Sequence, residues 1–223
     1  MEAFQYAIDL GYRYVETDCH LTKDGVVVAF HDPELDRVSN EVGPINTWLW
    51  EDLQQITIND TGTMASISQL LEEFPTTRFN IDVKSDEVTA PLLAVLDKHS
   101  AFDRVCIGSF SDSRLSKVRR AHPGSACTSF GPLGVLGCIA GSFGLPFKAR
   151  GGNALQISPT FRGAPLLSER LIEYAHEIGL AIHIWTIDDV DEMHRLLDMG
   201  VDGIMTDRPS VLQQVFTERG LAL

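Results

Sequence analysis

Glu16, Asp18 and His20 recur at every second position of the chain. In an extended strand that spacing sends all three side chains to one face. The strand is followed by Asp24-Gly25 and an apolar run over 26–30 that ends in His31. An Asp-Gly pair between two such arms predicts a hairpin with a two-residue turn. Counting equal distances from a turn centred between 24 and 25 sets His31 opposite Asp18. Hard carboxylate oxygens on one face suit Mg²⁺ or Ca²⁺, and an imidazole beside them suits proton transfer. The simpler alternative is an exposed hairpin whose outer face is polar.

A second constellation lies in 78–84, RFNIDVK, where Asn80, Asp82 and Lys84 share a face by the same period. A strand buried in a parallel sheet is apolar on both faces, so three polar residues on one of them need a reason. Asp82 reads as a third ligand for the cation and Lys84 as a cationic contact to phosphate. An internal hydrogen-bonded network is the alternative. Ser109 closes another apolar run, as a site residue or as a strand-end cap. His183 and Trp185 share a face of 181–187, with His183 reading as a core histidine. Asp207, before Pro209, reads as a helix cap. His99, His122, His176 and His194 fall on helical patterns and read as solvated.

The elements that must position these groups alternate regularly. Strand-like runs at 13–20, 78–84, 105–110, 125–130, 154–158, 181–187 and 203–207 are separated by helical patterns near 66–74, 87–99, 112–121, 133–142, 168–178, 189–198 and 209–218. A leading helix precedes them, with Phe4, Ala7, Ile8 and Tyr12 at helical spacing. Repeated strand–helix units imply parallel strands and right-handed crossovers. Seven strands and a leading helix fall one strand short of an α/β fold of the (β/α)8 TIM barrel type, and an open doubly wound sheet is the alternative. Trp48 and Trp50 sit in an irregular stretch, 36–65, and read as core filling around a short helix. The stretch 125–147 carries no charge but contains five glycines and two prolines. It fits a strand, a loop and a helix better than a membrane span. Its GCIAG at 137–141 predicts close helix–strand contact, with a mobile apolar lip as the alternative.

A length of 223 residues suits one domain over 1–223. A net charge of −13 argues against general binding to nucleic acid or anionic membranes. It does not oppose a phosphate substrate, because a bound divalent cation reverses the local field. Cys19, Cys106, Cys127 and Cys138 show no CxxC spacing and read as free thiols, mostly buried. No signal-peptide pattern opens the chain, so a cytoplasmic location is expected.

The stretch ETDCHLTKDGVVVAFHDPELDR, 16–37, resembles the signature of the glycerophosphodiester phosphodiesterases. NIDVK at 80–84 is similar to the family's Asn-Ile-Glu-x-Lys, with Asp82 one methylene shorter. Ser109-Phe110, Trp185-Thr186 and GVDGIMTDRP at 200–209 match as well. The resemblance implies a TIM barrel of the phospholipase C-like phosphodiesterase type. It implies hydrolysis of a small glycerophosphodiester to sn-glycerol 3-phosphate and an alcohol, in lipid and glycerol metabolism. One divalent cation, Mg²⁺ or Ca²⁺, would be held by Glu16, Asp18 and Asp82, with Lys84 as a second positive group. His31 would be one member of an acid/base pair, and Trp185 would pack on the glycerol. The family's first strand, carrying His-Arg-Gly, has no counterpart here, so an N-terminally truncated and impaired chain is expected. The competing readings are a phosphoinositide phospholipase or sphingomyelinase D-like barrel acting on lipids, and a non-catalytic metal-binding barrel. The alcohol, the metal and the oligomeric state stay open.

Overall fold

Strand and helix alternate almost as the periodicities require. The structure is a computed structural model that describes residues 1–59, 61–147 and 151–222. The chain divides into two units, Met1–Ile107 with Arg120–Ala126, and Gly108–Arg119 with Cys127–Leu223.

In the first unit the long strand Tyr14–Leu21 lies between the antiparallel strand Val27–Ala29 and the parallel strand Arg78–Val83. Ala65–Ser66 extends the sheet beyond Val27–Ala29, and Val105–Gly108 follows Arg78–Val83 on the other side. Local chemistry sets one helix of this unit at both ends. Ser66 and Gln69 form a reciprocal capping box at the start of the helix Ile67–Glu73. The guanidinium of Arg104 donates to the carbonyls of Leu71, Phe74 and Thr77 near that helix's end, satisfying acceptors the last turn leaves open. The helix Asp86–Lys98 buries Val88, Leu92 and Leu96 at helical spacing. The stretch 36–65 holds the expected short helix, Trp50–Leu53, and its apolar residues join a core. Val28, Leu35, Ile45, Leu53, Ile56 and Met64 form a buried cluster, with Trp48 and Trp50 packed against it.

In the second unit Ala181–Ile184 pairs in parallel with Ala154–Ile157 on one side and Gly203–Ile204 on the other. Ser168 and Asp189 cap the helices Glu169–Glu177 and Val190–Met199 through their side chains. Asp207 does not cap the last helix, Pro209–Glu218. Its own N–H instead donates to Asp188 Oδ1 at 2.9 Å, and Arg208 occupies the cap without a side-chain bond. The glycines of 137–141 do permit a close approach, to side chains rather than to a strand. A Cβ at Gly141 would lie 2.3 Å from the Tyr174 hydroxyl of the helix Glu169–Glu177.

The four cysteines are free thiols, and Cys19 and Cys138 are buried. The helix-borne histidines are more engaged than expected. His99 bonds the Ser68 hydroxyl at 2.7 Å, His122 stacks on Phe102, and His176 lies 2.9 Å from Asp202. His194 lies 3.6 Å from Glu218. Among the described residues no helix is long and apolar enough to cross a membrane.

Candidate active site

The parallel register of Tyr14–Leu21 with Arg78–Val83 pairs Glu16 with Asn80 and Asp18 with Asp82. Directly paired residues in a parallel ladder point to the same face, so the two aspartates stand side by side. Both are buried, at 8% and 9% exposure. Two carboxylates this close cannot both ionise without a counter-charge. Lys84 supplies one. Its Nζ lies 2.6 Å from Asp18 Oδ1 and 3.1 Å from Asp82 Oδ2.

Burial pushes the Asp18 carboxyl above its ordinary value. The Lys84 ammonium pulls it back, the charge of Asp82 adds to the rise, and the net shift is upward. For Lys84 burial is the largest single influence and opposes its charge. The hydrogen bonds and charges of the two aspartates together outweigh it, and its pKa is raised. Lys84 therefore stays an ammonium, fixed over the carboxylate pair. Asp82 Oδ1 is buried and has no hydrogen-bond partner among the described residues. A buried carboxylate oxygen without a donor is costly unless something cationic or protonated meets it. Glu16 is exposed. Among the described residues no three His, Cys, Asp or Glu side chains converge as a metal-holding group.

The hairpin that delivers His31 differs from the expected one. Its turn has three central residues, with Thr22 N donating to Val26 O and Gly25 N to Thr22 O. The Thr22 hydroxyl donates to Asp24 Oδ1 at 2.6 Å and accepts from Val26 N at 2.8 Å. Gly25 takes φ +85, which a side chain would disfavour. The extra residue moves the register by one, so Cys19 faces Ala29 and the ladder ends before His31. His31 is thus not strictly opposite Asp18. Its Nε2 still lies 3.9 Å from Asp18 Oδ2, because the chain bends back just beyond the strand.

Two residues given no role from sequence hold that imidazole. Asp32 Oδ1 accepts from His31 Nδ1 at 2.5 Å, and Arg37 Nε donates to Asp32 Oδ2, also at 2.5 Å. The Arg37 hydrogen bond first, and His31 second, bring the Asp32 carboxyl down to about 2. Asp32 is therefore the acceptor, the His31 proton is fixed on Nδ1, and Nε2 is left facing Asp18. The five-residue spacing from Asp32 to Arg37 in HDPELDR was the available signal. His20, on the same strand as Asp18, donates through Nε2 to the His31 carbonyl at 3.2 Å. Burial lowers its pKa, so it is a neutral scaffold under His31.

In the second unit Trp185 follows Ala181–Ile184 and meets Phe110 edge-on, ring centres 5.6 Å apart. Ser109 is buried and accepts from Ser111 N and Arg114 Nη1, which fits the structural role weighed for it. His183 lies 3.3 Å from the Gln156 amide, and burial lowers its pKa, as a core histidine requires.

A family model described as the glycerophosphoryl diester phosphodiesterase family matches residues 1–211. Among curated proteins, the probable glycerophosphodiester phosphodiesterase 2 of Mycobacterium tuberculosis is 34% identical over 225 residues, covering 99% of this chain and 85% of that protein. A glycerophosphodiester phosphodiesterase of Caldanaerobacter subterraneus is 28% identical, covering 98% of this chain and 91% of its own. Among solved structures, a phosphodiesterase of Oleispira antarctica in complex with the product sn-glycerol-3-phosphate superposes with a TM-score of 0.78. It is 18% identical and covers 96% of this chain and 90% of that one. A glycerophosphodiester phosphodiesterase of Agrobacterium tumefaciens gives 0.77 at 22% identity, with 95% and 91% covered. At such identities the likeness establishes the fold, the barrel-like α/β architecture expected from the strand–helix alternation.

Proposed function

Because the chain belongs to the glycerophosphoryl diester phosphodiesterase family, we propose that Asp18, Asp82, Lys84 and His31 carry out its hydrolysis of glycerophosphodiesters. The products are sn-glycerol 3-phosphate and an alcohol. The observation that carries the assignment is the paired register of Asp18 with Asp82, bridged by Lys84, with His31 Nε2 3.9 Å from Asp18.

Phosphodiester hydrolysis needs positive charge at the non-bridging oxygens and a group that moves a proton at the attacking or departing oxygen. Lys84 provides a fixed ammonium for the first task. Through Nε2, His31 performs the second, with Asp32 and Arg37 holding the ring. Trp185 is assigned to the glycerol moiety, where an apolar indole face suits its carbon skeleton.

A divalent cation fits the donor set. Asp18 and Asp82 offer hard oxygens on one face, Glu16 stands exposed two residues before Asp18 as the third candidate, and Asp82 Oδ1 is buried without a donor among the described residues. When bound, Mg²⁺ or Ca²⁺ supplies Lewis-acid neutralisation of the phosphate. Asp18 and Asp82 would hold that ion, and Lys84 would offer its ammonium as a second positive group for the phosphate.

The test is release of glycerol 3-phosphate from glycerophosphocholine with Mg²⁺ or Ca²⁺, with and without EDTA. Release should depend on the cation and fall by roughly 10²–10⁴-fold in His31→Ala. Release that is indifferent to EDTA and to Asp82→Asn would remove the metal assignment. Release unaffected by His31→Ala would remove the acid/base assignment.

A further inference from the structure

Charge is sharply segregated along the chain. Between Asp112 and Glu169 there is no acidic residue, while that stretch holds seven lysines and arginines. The rest of the chain carries all 31 acidic residues against 11 basic ones, so the net −13 conceals a cationic segment.

The same segment carries an outward apolar face. Its helix Pro132–Ser142 has no charged residue, and Leu133, Leu136, Phe143 and Leu145, on and just after it, are each 60–70% exposed. Surface helices ordinarily turn polar residues outward, and a contiguous exposed apolar face marks an interaction surface. Phe143, Pro165 and Leu171 line a shallow groove, and the hairpin Thr160–Phe161 with Ala164–Pro165 presents a further exposed aromatic ring, Phe161. Each of these aromatic rings has a cation on it. The Arg170 guanidinium lies 5.0 Å from the Phe143 ring and that of Arg162 5.4 Å from the Phe161 ring.

We propose that this face of the second unit docks on a bilayer containing anionic phospholipid. Exposed leucines and phenylalanines would enter the headgroup–acyl boundary, while arginines held on the aromatic rings meet lipid phosphates. Charge complementarity favours this occupant over a second copy of the chain. A self-complementary contact would bring the ring-borne Arg162 and Arg170 guanidinium groups of two copies onto one face, like charge against like. No spanning helix is involved, and binding is reversible and salt-sensitive. The inference does not rest on the catalytic assignment, since none of these residues was placed in that machinery.

Co-sedimentation with vesicles tests it, comparing pure phosphatidylcholine with phosphatidylcholine containing phosphatidylglycerol. The chain should bind the anionic vesicles and release them as salt rises. Leu136→Ser with Phe143→Ser, and separately Arg162→Glu with Arg170→Glu, should each weaken binding by roughly tenfold or more. Both double variants should keep the wild-type thermal midpoint and glycerophosphocholine hydrolysis, which separates lost docking from lost folding. Absence of binding to anionic vesicles overturns the proposal, as does binding that survives both double variants. A wild-type dimer in sedimentation velocity that Leu136→Ser with Phe143→Ser dissolves assigns the face to a second copy and overturns it too.

Discussion

The ammonium of Lys84 sits 2.6 Å from one oxygen of Asp18, on the strand beside its own. Lys84 follows Asp82 by two residues, so one strand contributes both a carboxylate and the cation that lets its neighbour's carboxylate ionise. Lys84→Met removes that cation and leaves two buried carboxylates face to face. It should destabilise the fold by about 3 kcal/mol at neutral pH and abolish most activity. Burial already raises the Asp18 pKa above its ordinary value, and losing the ammonium that pulls it back raises it further, so protonation of Asp18 favours the folded form. The deficit should therefore shrink as pH falls. Urea denaturation at pH 7 and pH 5 reads this directly, and a deficit that stays constant or grows on acidification would contradict the charge argument.

Under the proposed assignment, Asp32 acts on the chemistry only through His31. Asp32→Asn keeps the shape but no longer guarantees an acceptor for the Nδ1 proton, so part of the population presents the wrong tautomer. The expected effect is a loss in kcat on the order of tenfold with KM nearly unchanged. Arg37→Lys should act in the same direction more weakly, since Lys retains the charge without the planar geometry. If Asp32→Asn raised KM and spared kcat, a contact with substrate would replace the positioning role.

Much of this site was readable because its chemistry interrupts a strong pattern. Asp18, Asp82 and Lys84 occupy positions where a buried parallel strand would hold apolar residues, and period two alone groups them. The strands and helices flanking them were legible from hydrophobic spacing, with boundaries moved by a residue or two. Register of the first hairpin was not legible. It turns on the Thr22 hydroxyl bonding both Asp24 and Val26 N, which adds a third turn residue that Asp24-Gly25 alone does not announce. The two-residue strand Ala65–Ser66 was missed because so short a segment carries no period. The helix that follows it, opened by the Ser66–Gln69 capping box, does fall on the helical pattern near 66–74. The solvated reading of His99 failed since helical spacing does not reveal a hydroxyl such as Ser68 on a neighbouring helix.

The depressed Asp32 carboxyl makes a pH-dependent contribution to stability. Its folded value is about 2 against an ordinary 3.8, so the folded state binds this proton less tightly than the unfolded state. The contribution is complete above about pH 4 and is lost as pH falls through the folded value near 2. Asp32→Asn removes it at every pH. The gap in urea midpoint between wild type and variant should be widest at pH 5 and narrow towards pH 2. Asp18, whose pKa is raised, works with the opposite sign in both proteins and cancels from the comparison. An equal gap at pH 5 and pH 2.5 would trace the loss to neutral hydrogen bonding.

Gly141 marks where the uncharged helix Pro132–Ser142 approaches the helix Glu169–Glu177. A Cβ there would lie 2.3 Å from the Tyr174 hydroxyl and 2.4 Å from its ring carbon, well inside contact distance. The ring carbon as well as the hydroxyl is in the way, so a small rotation of Tyr174 does not relieve the overlap. Gly141→Ala gains helix propensity worth about 1 kcal/mol, but overpacking of this kind costs roughly 1–3 kcal/mol. The net expectation is destabilisation. Tyr174→Ala opens the space, so in that background Gly141→Ala should become neutral or stabilising. A double-mutant cycle in thermal unfolding measures the coupling. If Gly141→Ala stabilises the wild type, the two helices are not held at the spacing that the Tyr174 contact implies.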